Sequence, residues 1–308
     1  MNAQRVPVLE VGGTHVSAAL IDTGEWAIVP GTLTRHSLDS ELSAQALLSA
    51  FVRAASTLAT PPGADWGVAM PGPFDYARGI ALFEDVGKFD SLRGVDVGAA
   101  LCRGITPSPA SVSFLNDAEA FLLGEWLHGA ATGYRRCAAV TLGTGVGSAF
   151  LADGEIVGSG PDVPPDGRAH RLYIDGRPLE DFVSRRAIRT AYRDATHDRS
   201  ADVHDIADRA RGGDPAAHAV IDAAMRRLGT ALAPWLARFG AEVVVIGGSM
   251  SASWDLFGPP FTAQLRTRVD VVVVAQDREH APLLGAARHA LTSGGSGCAG
   301  APSDAATS

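Results

Sequence analysis

Two stretches of the sequence decide the fold: Glu10-Val-Gly-Gly-Thr14 and Leu142-Gly-Thr-Gly-Val-Gly147. Each follows an apolar run, Val6–Leu9 for the first and Cys137–Thr141 for the second, and each leads into another apolar run rather than a helix. Both are therefore predicted to be strand–turn–strand units. Glycines in such a turn let backbone N–H groups approach an anion without a Cβ in the way. Two such turns, about one domain apart, predict a duplicated fold with a cleft that holds a polyphosphate between two lobes.

Composition and charge restrict the function classes. The chain has 308 residues, 46% hydrophobic and 19% charged, which is enough for two globular domains. The net charge of −8 argues against nucleic acid as a partner. No run approaches the roughly 18 apolar residues that a membrane span needs. With no signal-peptide stretch after Met1, the cytoplasm is the expected compartment.

The three cysteines are widely spaced and odd in number: Cys102, Cys137 and Cys298. They are expected to form no disulfide framework and no metal site.

Hydrophobic periodicity predicts strands alternating with helices, which indicates an α/β architecture. Besides the two hairpins, strands are predicted at 66–70, 111–115, 243–246 and 271–275. Helices are predicted at 40–58 (capped by Asp39 or Ser40), 118–128, 179–195, 215–239 and 282–291. Pro234 is expected to kink the fourth of these helices or end it early. Residues 158–177 are predicted to form an irregular loop that contributes to a site.

The second glycine turn resembles a dinucleotide-binding fingerprint only superficially. Its sixth position is Ser148, and a strand ending at Asp153-Gly154 follows where a dinucleotide site needs a helix. It is not a Walker A loop either, because no Gly-Lys-Ser/Thr occurs. A backbone cradle for phosphate and a purely structural turn both remain open.

Asn116-Asp117 ends a predicted strand and begins a helix. Both residue types are preferred helix caps, which is the simpler interpretation. The functional alternative is that Asp117 is a general base that accepts a proton from an attacking hydroxyl, with Asn116 binding the same substrate.

Three other motifs can each be explained by a structural role or by a functional one. Glu10, at the end of its strand, is either a Mg²⁺ ligand beside phosphate oxygens or a surface charge. Gly72, in a rigid Pro-Gly-Pro loop, is either a loop residue or part of a pocket wall. Gly247-Gly248 is either a strand-to-helix turn or a flat surface against an adenine or ribose.

Taken in order, the motifs resemble those of the ROK (repressor, open reading frame, kinase) sugar kinases over roughly residues 6–292. The motifs are Glu10-Val-Gly-Gly-Thr14, Pro71-Gly-Pro73, Asn116-Asp-Ala118, Gly143-Thr-Gly-Val-Gly147, Leu179-Glu180 and Val245-Ile-Gly-Gly-Ser249. The resemblance implies an α/β, actin-like (ribonuclease H-like) two-lobed fold and an enzyme that phosphorylates a sugar with ATP and Mg²⁺.

The resemblance also implies a role for each site residue. Asp117 corresponds to the catalytic base, and the other sugar ligands are Asn116, His170, Glu180 and Gly72. The phosphate turns are Gly12, Gly13 and Thr14 in the first half and Gly143, Thr144 and Gly145 in the second. Gly247 and Gly248 correspond to the adenosine turn.

The chain departs from the family pattern at three places. The first motif opens with Glu10 instead of Asp, which changes the metal geometry. The usual Glu-x-Gly-His segment is replaced by Asp166-Gly-Arg-Ala-His170, so that His170 lacks its partner Glu. The cysteine cluster of the family's zinc motif is missing between His170 and Glu180, so we expect no structural zinc.

These features predict a hexose kinase that acts on the 6-OH of glucose or of an aminohexose such as kanosamine. One alternative is a sugar-sensing ROK regulator, but such regulators carry a DNA-binding segment ahead of the first strand, and only five residues precede Val6. The other is a polyphosphate-dependent glucokinase, which would present a basic track. The expected partners are the sugar and ATP, with no nucleic acid and no membrane; a homodimer is left open.

The expected domains are an N-terminal α/β lobe over 1–115, joined by the C-terminal helix at 281–292, and a C-terminal lobe over 116–280. Residues 293–308 are expected to be a disordered tail because of their composition.

Overall fold

The computed structural model describes residues 4–84, 86–265, 269 and 271–298. The strands are β1 (Arg5–Val11), β2 (His15–Asp22), β3 (Ala27–Ile28), β4 (Thr34–Ser37), β5 (Asp65–Met70), β6 (Phe74–Asp75), β7 (Ile80–Ala81), β8 (Ser111–Asn116), β9 (Arg136–Leu142), β10 (Val146–Ala152), β11 (Glu155–Ile156), β12 (Tyr173–Ile174), β13 (Arg177–Pro178), β14 (Val243–Gly247), β15 (Val271–Val274) and β16 (Ser296–Gly297). The helices are α1 (Ala44–Ala55), α2 (Val97–Gly104), α3 (Asp117–His128), α4 (Glu180–Val183), α5 (Arg185–Thr196), α6 (Val203–Arg211), α7 (Pro215–Phe239), α8 (Trp254–Leu265) and α9 (Ala281–Thr292).

The chain divides into two compact units. The first runs to Leu127 and takes up the chain again from Glu279, so that α9 packs with the N-terminal elements. The second is His128–Arg278. Each unit has its own apolar core, one around β1, β5 and α1 and the other around β9, β14 and α7.

The first unit is built on a mixed sheet that places three motifs at one edge. Its described strands follow the order β16-β8-β5-β1-β2-β3, with β4 also paired to β2. β1, β5 and β8 are parallel, with Glu10 opposite Ala69 and Met70 opposite Asn116. Because parallel strands end on the same side of a sheet, the segments after Val11, Met70 and Asn116 lie along one edge.

The second unit repeats this arrangement. Its described strands follow the order β11-β10-β9-β14-β15, with β9, β14 and β15 parallel and β9–β10 an antiparallel hairpin. Thr141 pairs with Gly247, so the glycine turn after β9 and the Gly247-Gly248 turn after β14 leave the same edge.

The helices differ in several ways from the sequence prediction. α1 begins after Ser43, whose side chain accepts from the Ala46 N–H, so Asp39 and Ser40 are not its caps. The helix predicted at 179–195 is divided into α4 and α5 at Ser184, which caps α5. α7 continues through Pro234 to Phe239, so Pro234 does not end it early.

Three further helices, α2, α6 and α8, were not predicted. None of the helices among the described residues is long and apolar enough to cross a membrane.

The C-terminal segment corrects two predictions. Ser296 and Gly297 form β16 against β8, and the Cys298 N–H donates to Ala110 O at 2.8 Å. Cys298 is joined to Cys102 of α2 by a disulfide, with Cα atoms 5.5 Å apart. The expected absence of a disulfide is therefore wrong, and so is disorder over 293–298, which begins with Ser293 bonded to His289 O at the end of α9. Residues 299–308 of that expected tail lie outside the described residues.

The third cysteine, Cys137, is buried in β9. Burial raises the pKa of its thiol to about 12, so it stays protonated and unreactive.

Candidate functional site

The first glycine turn is held by side chains from β2. His15 Nε2 lies 3.0 Å from Glu10 Oε2, and Ser17 Oγ donates to the same oxygen at 3.2 Å. A Cβ on Gly12 would lie only 2.7 Å from His15 Cε1, so the imidazole covers this glycine directly. Glu10 is thus held in place by the hairpin, with its side chain 15% exposed.

Gly12 and Gly145 are required by space, because a Cβ there would lie 2.7 Å from His15 Cε1 and 2.1 Å from Glu180 Oε1 respectively. A Cβ on Gly13 or Gly143 would meet only ordinary contacts, at 3.9 and 3.6 Å. Neither Gly12 and Gly13 in the first turn nor Gly143 and Gly145 in the second has a positive φ. Within the turns the Gly12 N–H donates to His15 O and the Gly143 N–H to Gly145 O, so an anion would be bound by the other peptide N–H groups of the turns.

Asn116 and Asp117 stand at the carboxyl end of β8 with different exposures. Asn116 is buried, its Nδ2 donates to Tyr76 Oη at 2.9 Å, and its Oδ1 accepts from the Ala118 N–H at 3.1 Å. These two bonds fix which way the amide faces. Asp117 is exposed, and its Oδ1 accepts from the Ala118 N–H at 2.9 Å.

Gly72 belongs to the same cluster. A Cβ on Gly72 would lie 3.1 Å from Tyr76 Oη, and that hydroxyl in turn donates to Met70 O at 3.2 Å. Tyr76 therefore joins the segment after β5 to Asn116, the last residue of β8.

In the second unit, Glu180 lies on the glycine turn. Its Oε1 accepts from the Val146 N–H at 3.2 Å, and a Cβ on Gly145 would lie 2.1 Å from that oxygen. The Arg185 N–H donates to Gly143 O at 2.9 Å, which ties the other side of the turn to the start of α5. The exposed Thr144 occupies the tip between these two attachments.

Gly248 lies against the base of this turn. Its φ is +80°, and a Cβ there would lie 2.3 Å from Leu142 O. Both facts exclude any other residue without rearrangement. Gly247 and Gly248 are thus in direct contact with the strand that leads into Gly143.

The loop that carries His170 is anchored by Ser148. This serine is buried in β10; its Oγ donates to Gly167 O and accepts from the Ala169 N–H, each at 2.7 Å. Arg171 pairs with Asp166 across the loop. His170 itself is exposed on the short turn Ala169–Arg171.

The structure therefore brings the predicted residues together in two groups. Glu10, Gly12, Gly13, Thr14, Gly72, Asn116 and Asp117 lie at the edge of the first sheet, and Gly143, Thr144, Gly145, Glu180, Gly247 and Gly248 lie at the edge of the second. Ser148 of β10 anchors the loop that carries His170. Within the described residues, no three His, Cys, Asp or Glu side chains are placed to hold a metal ion, and the absence of zinc stays a prediction.

Sequence reasoning missed three residues that position the others: His15, Tyr76 and Ser148. Ser148 was noted only because it breaks a glycine pattern. The alternation of β2 places His15 and Ser17 on the same face as Glu10, so that pairing was open to prediction. Tyr76 and Asn116 are 40 positions apart, and no local sequence pattern predicts the hydrogen bond between them.

The chain is similar to known proteins in sequence and in fold. The ROK family pattern matches residues 7–162 and 175–293. A glucokinase of Thermotoga maritima is 31% identical over 216 residues, which cover 63% of this chain and 66% of that protein. The match therefore spans slightly less than two thirds of the Thermotoga protein.

Two solved structures have a similar fold. The ROK hexokinase from Thermus thermophilus aligns with a TM-score of 0.75 at 23% identity, covering 92% of this chain and 97% of that one. A ROK family glucokinase from Streptomyces griseus, in complex with glucose and AMPPNP, gives 0.74 at 22% identity and covers 94% and 100%.

The α/β, actin-like (ribonuclease H-like) fold expected from the sequence is confirmed by these similarities and by the two mixed sheets with their helices. The residues that the family pattern matches include all six motifs from Glu10 to Ser249. This chain belongs to the ROK family.

Proposed function

We propose that the chain is an ATP- and Mg²⁺-dependent hexose kinase that phosphorylates the 6-OH of glucose or of an aminohexose such as kanosamine. The observation that carries this proposal is the pair at the end of β8. Asp117 is exposed, while the adjacent Asn116 is buried and oriented by Tyr76 and the Ala118 N–H. A carboxylate free to accept a proton beside a fixed amide is the arrangement that activation of an alcohol requires. We place the reaction in the cytoplasm, where ATP is available.

Asp117 would act as the general base. It accepts the proton of the sugar hydroxyl as that oxygen attacks the γ-phosphorus of ATP, and the bond from that phosphorus to the bridging oxygen breaks to release ADP. Asn116 would bind the same sugar, since an amide that is already oriented loses little entropy on binding.

The glycine turns would bind the phosphates. Phosphoryl transfer depends mainly on positioning and on stabilising charge. The peptide N–H groups of Gly13 and Thr14 and of Thr144 and Gly145, which donate to no described residue, would do this. Gly247 and Gly248 would support the nucleoside.

Glu10 fits the expected Mg²⁺. Its Oε2 is bonded by His15 and Ser17, while its Oε1 makes no hydrogen bond with any described residue. Mg²⁺ in kinases typically takes one or two carboxylate oxygens, with water and phosphate oxygens completing the shell. The ion would neutralise charge on the transferring phosphoryl group, and Glu10 would hold it through Oε1.

Glu180 and His170 are further candidates for contacts with the sugar. Glu180 also bonds the Val146 N–H, so its carboxylate would serve both the sugar and the phosphate turn. His170 keeps an exposed position, although the residue that usually supports it is replaced by Gly167.

Gly145→Ala is expected to raise the KM for the sugar by about tenfold. The new methyl group would occupy the position of Glu180 Oε1 and push the carboxylate off the turn. Loss of one charged hydrogen bond typically costs about 1.5–3 kcal/mol. Steady-state kinetics with varied sugar concentration measures the change.

A double variant is the control for this mechanism. If Gly145→Ala acts by displacing Glu180, it should add little once Glu180→Ala has removed the carboxylate. Fully additive effects of the two substitutions would contradict the displacement.

A coupled assay for ADP formation tests the proposed function. The purified protein is offered glucose, other hexoses and aminohexoses including kanosamine, each with MgATP, and Asp117→Asn serves as the inactive control. We expect turnover with at least one sugar. Absence of turnover with every sugar and donor would reject the kinase.

Two arms of the same experiment separate the alternatives. Polyphosphate replaces ATP in a second panel. Sugar phosphate formed only with polyphosphate would show that polyphosphate, and not ATP, is the phosphoryl donor. A gel-shift with DNA tests the regulator, and a sugar-sensitive shift by a protein without turnover would favour it.

A further inference from the structure

Lys88 is the single lysine of the chain, which otherwise carries its positive side-chain charge on arginine; Lys and Arg together number 26. It lies between Gly87 and Phe89, just before the short 3₁₀ helix Asp90–Leu92 that precedes α2. Its side chain is half-buried. None of the motifs described above includes this residue.

The backbone on both sides of Lys88 is fixed. Phe89 is fully buried, packs on the rings of Phe51 and Phe83, and has a φ of 60°. On the other side, the Asp90 carboxylate accepts from the N–H groups of Val86 and Gly87, each at 3.2 Å. Lys88 is therefore flanked by residues that are held by ring packing on one side and by hydrogen bonds on the other.

The loop that carries Lys88 is also tied to the first glycine turn. The Phe89 N–H donates to Ser40 O, and the Leu38 N–H donates to Thr14 O, both at 2.9 Å. Through these backbone hydrogen bonds, Leu38 connects its segment to the glycine turn and Ser40 connects the same segment to the Lys88 loop. A Cβ on Gly13 would lie 3.9 Å from Lys88 Cδ, which is ordinary van der Waals contact.

Lys88 has no acidic partner within the part of the chain that the structure describes: no ion pair, hydrogen bond or ring contact engages its ammonium group. By contrast, Arg177, Arg185, Arg209 and Arg211 all pair with aspartates. A cation beside a glycine turn, which no carboxylate of the described residues neutralises, attracts an anion.

We propose that Lys88 binds the phosphoryl group at the Gly12-Gly13 turn and stabilises its charge during transfer. This rests on the proposed function, because the group would be the one that passes from ATP to the sugar. An ammonium group is compact and has three N–H donors, so it can bind phosphate oxygens from one side. Peptide N–H groups of the turn would bind the same phosphate from another side. Lys88 forms no covalent bond in this role, and the proton of the sugar hydroxyl goes to Asp117.

Kinetics of two Lys88 variants give the first test. Lys88→Met is expected to lower kcat by about 100-fold, as removal of one transition-state donor does elsewhere. The KM for the sugar should change little. Lys88→Arg keeps the charge and should recover part of the loss. Arg53→Met, which removes an exposed charge from α1, is the matched control and should behave as wild type.

The single lysine also allows a test that does not depend on turnover. An amine-acylating reagent modifies Lys88 and the N-terminal amine, and mass spectrometry of peptides distinguishes the two. MgAMPPNP with glucose, or inorganic phosphate alone, should slow acylation of Lys88 at least severalfold and leave the N-terminal amine unaffected.

The outcomes separate this proposal from the proposed function. Wild-type kcat in Lys88→Met, or acylation of Lys88 that no phosphate compound slows, would overturn the role of Lys88 while the kinase stands. Protection by inorganic phosphate in a protein that phosphorylates no sugar would support the anion site and reject the kinase. Thermal melting of each variant excludes unfolding as the cause of a lower rate.

Discussion

Asp117→Asn is expected to lower kcat by about 1,000-fold and to leave sugar binding largely intact. The amide cannot accept the proton of the sugar hydroxyl, and general base catalysis contributes roughly 10²- to 10⁴-fold. The substitution preserves shape, and the amide oxygen can still accept the Ala118 N–H that bonds Oδ1 now. Turnover is measured by ADP formation, and binding by calorimetry with the sugar.

Asp96→Asn is a matched control for that substitution. Asp96 caps α2 as Asp117 begins α3, and its side chain accepts from the Ala99 N–H at 2.7 Å. Asparagine caps a helix about as well as aspartate. Asp96→Asn should therefore keep the wild-type rate. Near-wild-type turnover of Asp117→Asn would refute Asp117 as the base.

Gly285→Ala is expected to destabilise the first unit by about 3 kcal/mol. A Cβ on Gly285 of α9 would lie 1.9 Å from Ala120 O of α3, and one on Gly124 of α3 would lie 1.9 Å from Ala281 O of α9. The backbones of the two helices are thus in contact at both points, and backbone cannot give way as the end of a side chain can. Overpacking of this kind typically costs about 1–3 kcal/mol, occasionally more. The midpoint of urea unfolding measures the loss.

Gly98→Ala is the comparison for this prediction. Gly98 is also buried in a helix, but a Cβ there would meet nothing closer than 3.4 Å. Since alanine favours a helix over glycine by roughly 0.5–1 kcal/mol, Gly98→Ala should be neutral or stabilising. Equal midpoints for Gly285→Ala and wild type would show that the two helices can separate without cost.

The strands and turns of this fold could be predicted from the sequence because each is marked locally. Apolar runs ending in glycine gave the two hairpins, and β5, β8, β14 and β15 were found within a residue or two. These signals lie within a few positions of one another. The order of the motifs then indicated the family.

The missed helices have physical explanations. α8 contains Pro259 and Pro260, which interrupt helical hydrogen bonding, yet packing on α7 maintains the helix. The close contact there involves Gly229, where a Cβ would lie 2.7 Å from Phe261 O. α6 begins with a capping box of Asp202 and Asp205, a sequence signal that predicts the start of a helix.

The residues of the candidate site also differ in how far the sequence predicts them. Asn116, Asp117 and the glycines belong to short motifs and could be identified from sequence, although their roles remain proposals. The residues that hold them could not be identified so readily: Tyr76 acts on Asn116 from 40 positions away, and Ser148 on the His170 loop from about 20. Glu180 was identified, but its bond to Val146, 34 positions earlier, depends on how α4 folds back on the hairpin.

The bond between Cys102 and Cys298 closes a covalent ring around a large part of the polypeptide. The two cysteines are 196 positions apart, and the whole second unit, His128–Arg278, lies inside that interval. A protease that cuts a loop of that unit once therefore produces two fragments that stay linked until a reductant is added. Where thiols are oxidised, a nick in the second unit leaves the molecule in one piece.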